Sequence, residues 1–118
     1  MPAGTYNFYI EKGATFVRVF EYKDTGGTPI DISSYTARLQ VRPTVSSNTV
    51  LIDANTTNGK ITINGPLGQV ILVIPDTETA SVSSGCVTGV YDLEIQSPLG
   101  VVTRILQGSV EFSPEVTR

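Results

Sequence analysis

The chain has no histidine and no tryptophan, and its 118 residues include one methionine and one cysteine, Cys86. Without histidine it lacks the side chain that titrates closest to neutral pH, which is also the commonest zinc ligand. A lone cysteine forms no internal disulfide. With no imidazole to activate it as a nucleophile, Cys86 reads as a small, semi-buried residue. A basic surplus is missing too: eight Lys and Arg stand against eleven Asp and Glu, for a net charge of −3. Proteins that neutralise phosphates carry the opposite balance, so no nucleic-acid partner is expected. The longest aliphatic run, residues 70–74, falls far short of the ~20 residues that span a bilayer. The opening MPAGTYNFYIEKG has no basic segment followed by an apolar one. No membrane partner is expected, and synthesis and folding in a cytoplasm are.

What is present reads as β-structure. Thr, Val, Ile and Tyr recur in short runs separated by Gly, Pro, Asn and Asp. The pattern is plainest in residues 88–118. Tyr91, Leu93 and Ile95 alternate with Asp92, Glu94 and Gln96, and Ser97-Pro98-Leu99-Gly100 supplies a hairpin turn. A second run over 101–106 breaks at Gly108 and resumes through Val110 and Phe112. Upstream, 6–10 predicts a first strand, ended by Glu11-Lys12-Gly13. The second, 15–23, is apolar on both faces, with Phe16, Phe20 and Tyr22 on the side of Arg18 and with Val17 and Val19 opposite. Such a strand is expected to be covered on both sides, by a second sheet and by a loop or neighbouring subunit.

After a turn at 24–28, Tyr35, Ala37, Leu39 and Val41 alternate with Thr36, Arg38, Gln40 and Arg42 until Pro43. A short strand at 50–53, a turn at Asn58-Gly59, and a hairpin of 60–64 with 69–74 around Gly65-Pro66-Leu67-Gly68 follow. Residues 76–84 are the one helical candidate, with Asp76 as its cap. About eight strands at turn spacings of roughly 8–12 residues predict an all-β, two-sheet sandwich forming a single domain over 1–118.

Sites for chemistry are sparse. Asp24, Asp31 and Asp53 lie in or beside loops, but not at the close spacing of a calcium loop; such residues more often bond their own backbone and shape turns. Asp92 and Glu94 share a strand face about 7 Å apart by strand rise. They could be offered as a glycosidase pair, yet they read more simply as the polar side of an amphipathic strand. Ser83 and Ser84 sit in no nucleophile elbow. Gly26-Gly27 and the glycines at 65–68 lack the lysine and the strand–helix setting of a phosphate loop. No catalytic residue, cofactor, metal or small-molecule substrate is expected.

Interaction is the better reading. Arg38 and Arg42, with Gln40 between them, project from one side of a strand, and Arg104 stands on the closing hairpin; arginine is favoured at protein interfaces. Six aromatic rings crowd residues 6–22: Tyr6, Phe8, Tyr9, Phe16, Phe20 and Tyr22. They exceed what one sheet face hides, so either they meet another subunit or they fill a sheet–sheet core. Arg38, Gln40, Arg42, Arg104, Tyr6 and Tyr9 are therefore the candidate interface.

The order of motifs carries a resemblance. A Gly-containing break precedes a long aromatic strand, then come a D-x-G-G turn and Pro29-Ile30-Asp31-Ile32 with Tyr35 leading into an alternating strand. A G-x-V-I-L-x-I-P strand, Thr79-Ala80, Gly89-Val90-Tyr91-Asp92 and Leu106-x-Gly108-x-Val110 before Pro114-Glu115-Val116-Thr117 complete the series. Over nearly the whole chain this resembles the small virion structural proteins of tailed bacteriophages, and in particular the N-terminal domain of phage upper-baseplate proteins. The Gly89-x-Tyr91 step is similar to the tyrosine corner of immunoglobulin-like sandwiches.

The resemblance implies an immunoglobulin-like β-sandwich of about seven to eight mainly antiparallel strands. It implies a non-enzymatic virion protein, made in the host cytoplasm, that docks in several copies on the tail, baseplate or neck. Its partners would be other virion proteins and copies of itself. A capsid decoration (cement) subunit is the alternative. A carbohydrate-binding host-attachment module stands further off, because such modules stack sugars on exposed rings and the chain has no tryptophan.

Overall fold

The computed structural model describes residues 4–82 and 87–114. Cys86, Ser83, Ser84 and the end of the Pro114-Glu115-Val116-Thr117 motif lie outside them. The strands are β1 (Gly4–Thr5), β2 (Phe8–Glu11), β3 (Phe16–Glu21), β4 (Thr36–Arg42), β5 (Ile52–Asn55), β6 (Ile61–Asn64), β7 (Gln69–Ile74), β8 (Thr88–Gln96) and β9 (Val102–Ser113), with a 3-10 turn (Gly65–Leu67) between β6 and β7 and a short α-helix, α1 (Asp76–Ser81), between β7 and β8. The large sheet runs β1-β9-β8-β4-β5, with β2 also on β9, and the small sheet runs β3-β7-β6.

Strict alternation decides which side of each sheet turns inward. Ala37, Leu39 and Val41 from β4 and Tyr91, Leu93 and Ile95 from β8 face the interior. Phe16 from β3, Ile61 from β6 and Val70, Leu72 and Ile74 from β7 belong to the same core. Covering these side chains contributes ~1.5–3 kcal/mol for each large aliphatic group.

The N-terminal strand departs from expectation. The predicted 6–10 strand is two pieces either side of Tyr6-Asn7, and both run parallel to β9 rather than antiparallel. Gly108, read as a break, lies within a continuous β9. It is glycine because the Tyr6 backbone crosses so close that a Cβ would collide with its carbonyl. The irregularity sits instead opposite Leu93 and Glu94, where Leu106 pairs with Leu93 and Arg104 pairs with Glu94, so that Ile105 is the extra residue of a bulge.

The predicted double cover of β3 is not seen among the described residues. Phe16 is buried, but Val17 and Val19 are 48% and 53% exposed. The rings go mostly inward: Phe8 stacks on Tyr91 at 4.1 Å between centroids and meets Phe16 and Phe20. Asp76 is not the helix cap; Pro75 takes that place and Asp76 lies in the first turn. The helix is tied down by Thr79, fully buried, whose Oγ1 accepts from the Gly13 amide at 3.1 Å and donates to the Ala14 carbonyl oxygen at 2.9 Å.

Candidate functional site

Four of the six candidate residues come together on the outer face of the large sheet. β4 turns Arg38, Gln40 and Arg42 outward, and its register with β8 places Glu94 beside Arg38 and Asp92 beside Gln40. β9 adds Arg104 opposite Glu94 and Gln107 opposite Asp92. Together they line an open trough of about 600 Å³, and Val45 and Val90 lie on its wall near Arg42.

Gln107 and Thr5 also line the trough, and sequence reading missed both. Arg104 and Gln107 are three residues apart, a spacing that puts side chains on opposite faces of a regular strand. The bulge at Ile105 absorbs one residue and turns both outward. The only signal in the sequence is the parity slip between the alternation before and after 105.

The charges are largely answered within the trough. Arg38 Nε lies 2.9 Å from Glu94 Oε1, and Arg104 Nε lies 3.5 Å from Asp92 Oδ2. Arg42, half-buried, donates from Nη1 to the Ser47 carbonyl oxygen and from Nη2 to Gln40 Oε1, each at 2.8 Å. Three guanidinium groups against two carboxylates leave a positive excess within the trough of an acidic chain. Pairs this open to water contribute ~0–1 kcal/mol to folding. Their effect is to orient the arginine forks and keep them available for exchange with a partner's carboxylates.

The tyrosines are placed elsewhere. Tyr9 points outward from the same sheet, but from β2 beside Glu111, beyond the trough. Tyr6 does not join the arginines. Its ring meets Phe8 and Phe20 edge-on, at 5.6 and 5.8 Å, between the two sheets. Its carbonyl oxygen accepts a 2.5 Å hydrogen bond from the Tyr91 hydroxyl. The tyrosine-corner expectation is corrected accordingly. Tyr91 does bond backbone, but at the junction of β1 and β2, far away in sequence, and not across a local bend. Burial, with Tyr6 nearby, pushes the Tyr91 hydroxyl well above its ordinary pKa.

Asp92 and Glu94, the pair weighed for glycoside hydrolysis, each face an arginine on an open sheet. Asp24 and Asp31 shape their own turns. Asp24 Oδ1 accepts from the Gly26 and Thr28 amides. Asp31 Oδ1 accepts from the Ser33 hydroxyl and amide, which hold its carboxyl below the usual range. Among the described residues no three of Asp, Glu, His and Cys converge as metal ligands.

No protein-family model and no curated protein matches the chain. Solved structures do. The extracellular domain of the voltage-gated sodium channel beta4 subunit is 12% identical, with a TM-score of 0.50 over 98% of this chain and 97% of that one. The fold is an immunoglobulin-like β-sandwich. At that identity the likeness speaks to architecture alone, and an architecture shared this widely hosts many unrelated functions.

Proposed function

We propose that the protein is a non-enzymatic structural component of a tailed-bacteriophage particle, an adaptor that docks in several copies on the tail, baseplate or neck. The observation that carries this reading is the trough on the large sheet. It gathers Arg38, Arg42 and Arg104 on one rigid β-surface, with Asp92 and Glu94 paired to them and exchangeable. Such a surface suits a broad protein partner presenting carboxylates better than it suits a small molecule, since it is open and already satisfied internally. The motif order described above supplies the virion context. Repetition supplies the affinity: a modest contact becomes long-lived when each subunit engages several neighbours at once.

The capsid-decoration alternative uses the same surface and differs only in where the protein sits; immunodetection in separated heads and tails distinguishes the two. A sugar-stacking role is less well supported. The one aromatic residue along the trough, Tyr91, turns its ring to the core, where it stacks on Phe8.

The test is charge reversal. Arg38→Glu with Arg42→Glu is expected to leave the isolated domain folded, with its thermal melt lowered by no more than a few degrees, because the Arg38–Glu94 pair is exposed and Arg42 gives up two hydrogen bonds to uncharged acceptors. Incorporation into particles, measured by quantitative mass spectrometry, is expected to fall sharply. Wild-type incorporation of the double variant would refute the trough as the docking surface.

A further inference from the structure

Sheet edges are the other feature that distinguishes one side of this molecule from another, and they are treated very differently. At the end of the large sheet, β5 turns the backbone groups of Asp53 and Asn55 outward, and side chains cover them. The Asp53 carbonyl oxygen accepts from Asn58 Nδ2 at 3.0 Å and Lys60 Nζ at 3.4 Å, the Asp53 amide donates to Glu78 Oε1 at 3.3 Å, and the Asn55 amide donates to Asn58 Oδ1 at 3.1 Å. An edge covered in this way has nothing to offer an incoming strand.

β3 is the opposite case. Both pieces of the N-terminal strand pair with β9, so among the described residues β3 keeps one neighbour, β7. The Tyr22 amide donates to the Gly68 carbonyl oxygen at 2.7 Å on the β7 side. Counting back from it in the antiparallel register, Phe20, Arg18 and Phe16 bond toward β7, while Val17, Val19 and Glu21 turn their backbone groups to the free edge. Among the described residues, the side chain that reaches this edge is Arg18, whose Nη1 donates to the Val17 carbonyl oxygen at 2.7 Å. The strand is six residues long, with no proline, glycine or bulge, and it is flanked on the outer face by exposed Val17 and Val19. Of the other edges, β1 has two residues and β2 and β6 have four each.

We propose that the free edge of β3 pairs antiparallel with β3 of a second copy of this chain, about a two-fold axis through Val19, joining the two small sheets into one. The sequence of the strand selects the occupant and the register. With Val19 opposite its own copy, Val17 lies opposite Glu21 and Arg18 lies opposite Phe20, so no like charges meet. The Arg18 guanidinium, which already sits 4.4 Å from the Phe16 ring centre, gains a second aromatic face. Shifting toward the N-terminus to centre the axis on Arg18 sets two arginines against each other, which is destabilising. Centring it on Phe20 leaves Val17 outside the paired stretch. In the Val19 register all the outward amides and carbonyls of the strand find partners. The exposed valines of the two copies then form one continuous apolar band, the self-complementary patch that an isologous interface needs.

The inference rests on this edge and not on the particle reading, and it is tested on the isolated full chain. Sedimentation velocity at concentrations up to about 1 mM is expected to show a monomer–dimer equilibrium. Amide exchange followed by NMR should slow at Val17, Val19 and Glu21 as concentration rises. Val19→Lys, a charge on the edge, and Val19→Pro, which removes an amide that faces away from β7, are each expected to raise the dimer dissociation constant about tenfold or more. A chain that stays monomeric overturns the proposal. So does a dimer whose β3 amides gain no protection, or one unchanged by variants that keep the wild-type melt. Should a variant fail to fold, the exchange measurement on the wild type decides.

Discussion

The two sheets show solvent two different outer faces. On the large sheet every charged residue of the trough is answered across a strand or along one, Arg38 by Glu94, Arg104 by Asp92, Arg42 by Gln40 and the Ser47 carbonyl. On the small sheet the corresponding positions carry Val17 beside Val73 and Val19 beside Ile71, and Val17, Val19 and Val73 are all well exposed. Both sheets turn a largely apolar side inward, so core formation does not explain the contrast. An outer face with paired charges is stable in water and specific toward a charged partner. An outer face of β-branched apolar residues gains from being covered. The chain therefore presents two unlike surfaces, one suited to electrostatic complementarity and one to apolar contact.

The comparison is tested most severely at its inner anchor. Tyr91 lies on the core side of the large sheet, stacked on Phe8, with its hydroxyl on the Tyr6 carbonyl. Tyr91→Ala removes the ring by which β8 holds the N-terminal segment at Tyr6 and Phe8, and is expected to destabilise the domain by about 3–5 kcal/mol, as large aromatic truncations do. Urea unfolding followed by far-UV circular dichroism measures it. A loss below ~1 kcal/mol would mean the N-terminal strand is held by other contacts.

How much of this was legible in the sequence depends on how local the cause is. The faces of β4 and β8 follow from alternation, and Arg38, Gln40 and Arg42 fall on one side for that reason alone. The hairpin of β6 and β7 follows from its glycines; Gly68 adopts φ 63°, and a Cβ there would lie 2.6 Å from the Tyr22 carbonyl oxygen. The parallel pairing of β1 and β2 with β9 has no local signal, since it joins the two ends of the chain. The bulge at Ile105 leaves only a slip of parity between Arg104 and Gln107, so strict alternation assigns them to opposite faces. Val17 and Val19 are exposed in the single chain, and a run apolar on both faces signals cover without saying whether a loop or a neighbouring subunit supplies it.

A smaller effect separates the Tyr91 ring from its hydroxyl. The hydroxyl pKa is raised from its ordinary value near 10 by burial, with Tyr6 adding to it. The folded domain therefore holds a proton that the unfolded chain releases. The stability this contributes is fully present below about pH 10 and is lost as pH rises above it. Tyr91→Phe is expected to lower stability at pH 7 by about 1 kcal/mol, through the lost hydrogen bond to Tyr6. It should also flatten the decline between pH 10 and pH 11 relative to wild type. Equal alkaline slopes in the two proteins would assign the decline to the other tyrosines.

The smallest effect is the one that bears most directly on the difference between the outer faces. Threonine is close to valine in shape and in β-propensity, but its hydroxyl is costly to bury. If the outer face of the small sheet is solvated in the monomer, Val17→Thr and Val73→Thr should each change stability by less than about 0.5 kcal/mol, as surface substitutions do. Measured at low micromolar protein, where association is negligible, the pair reports on the isolated face. Repeated at high concentration, the same substitutions should cost more if the face becomes covered, because the hydroxyls are then withdrawn from water without partners. A substantial cost already at low concentration would mean that this face packs within the monomer itself, and the contrast between the two sheets would have to be abandoned.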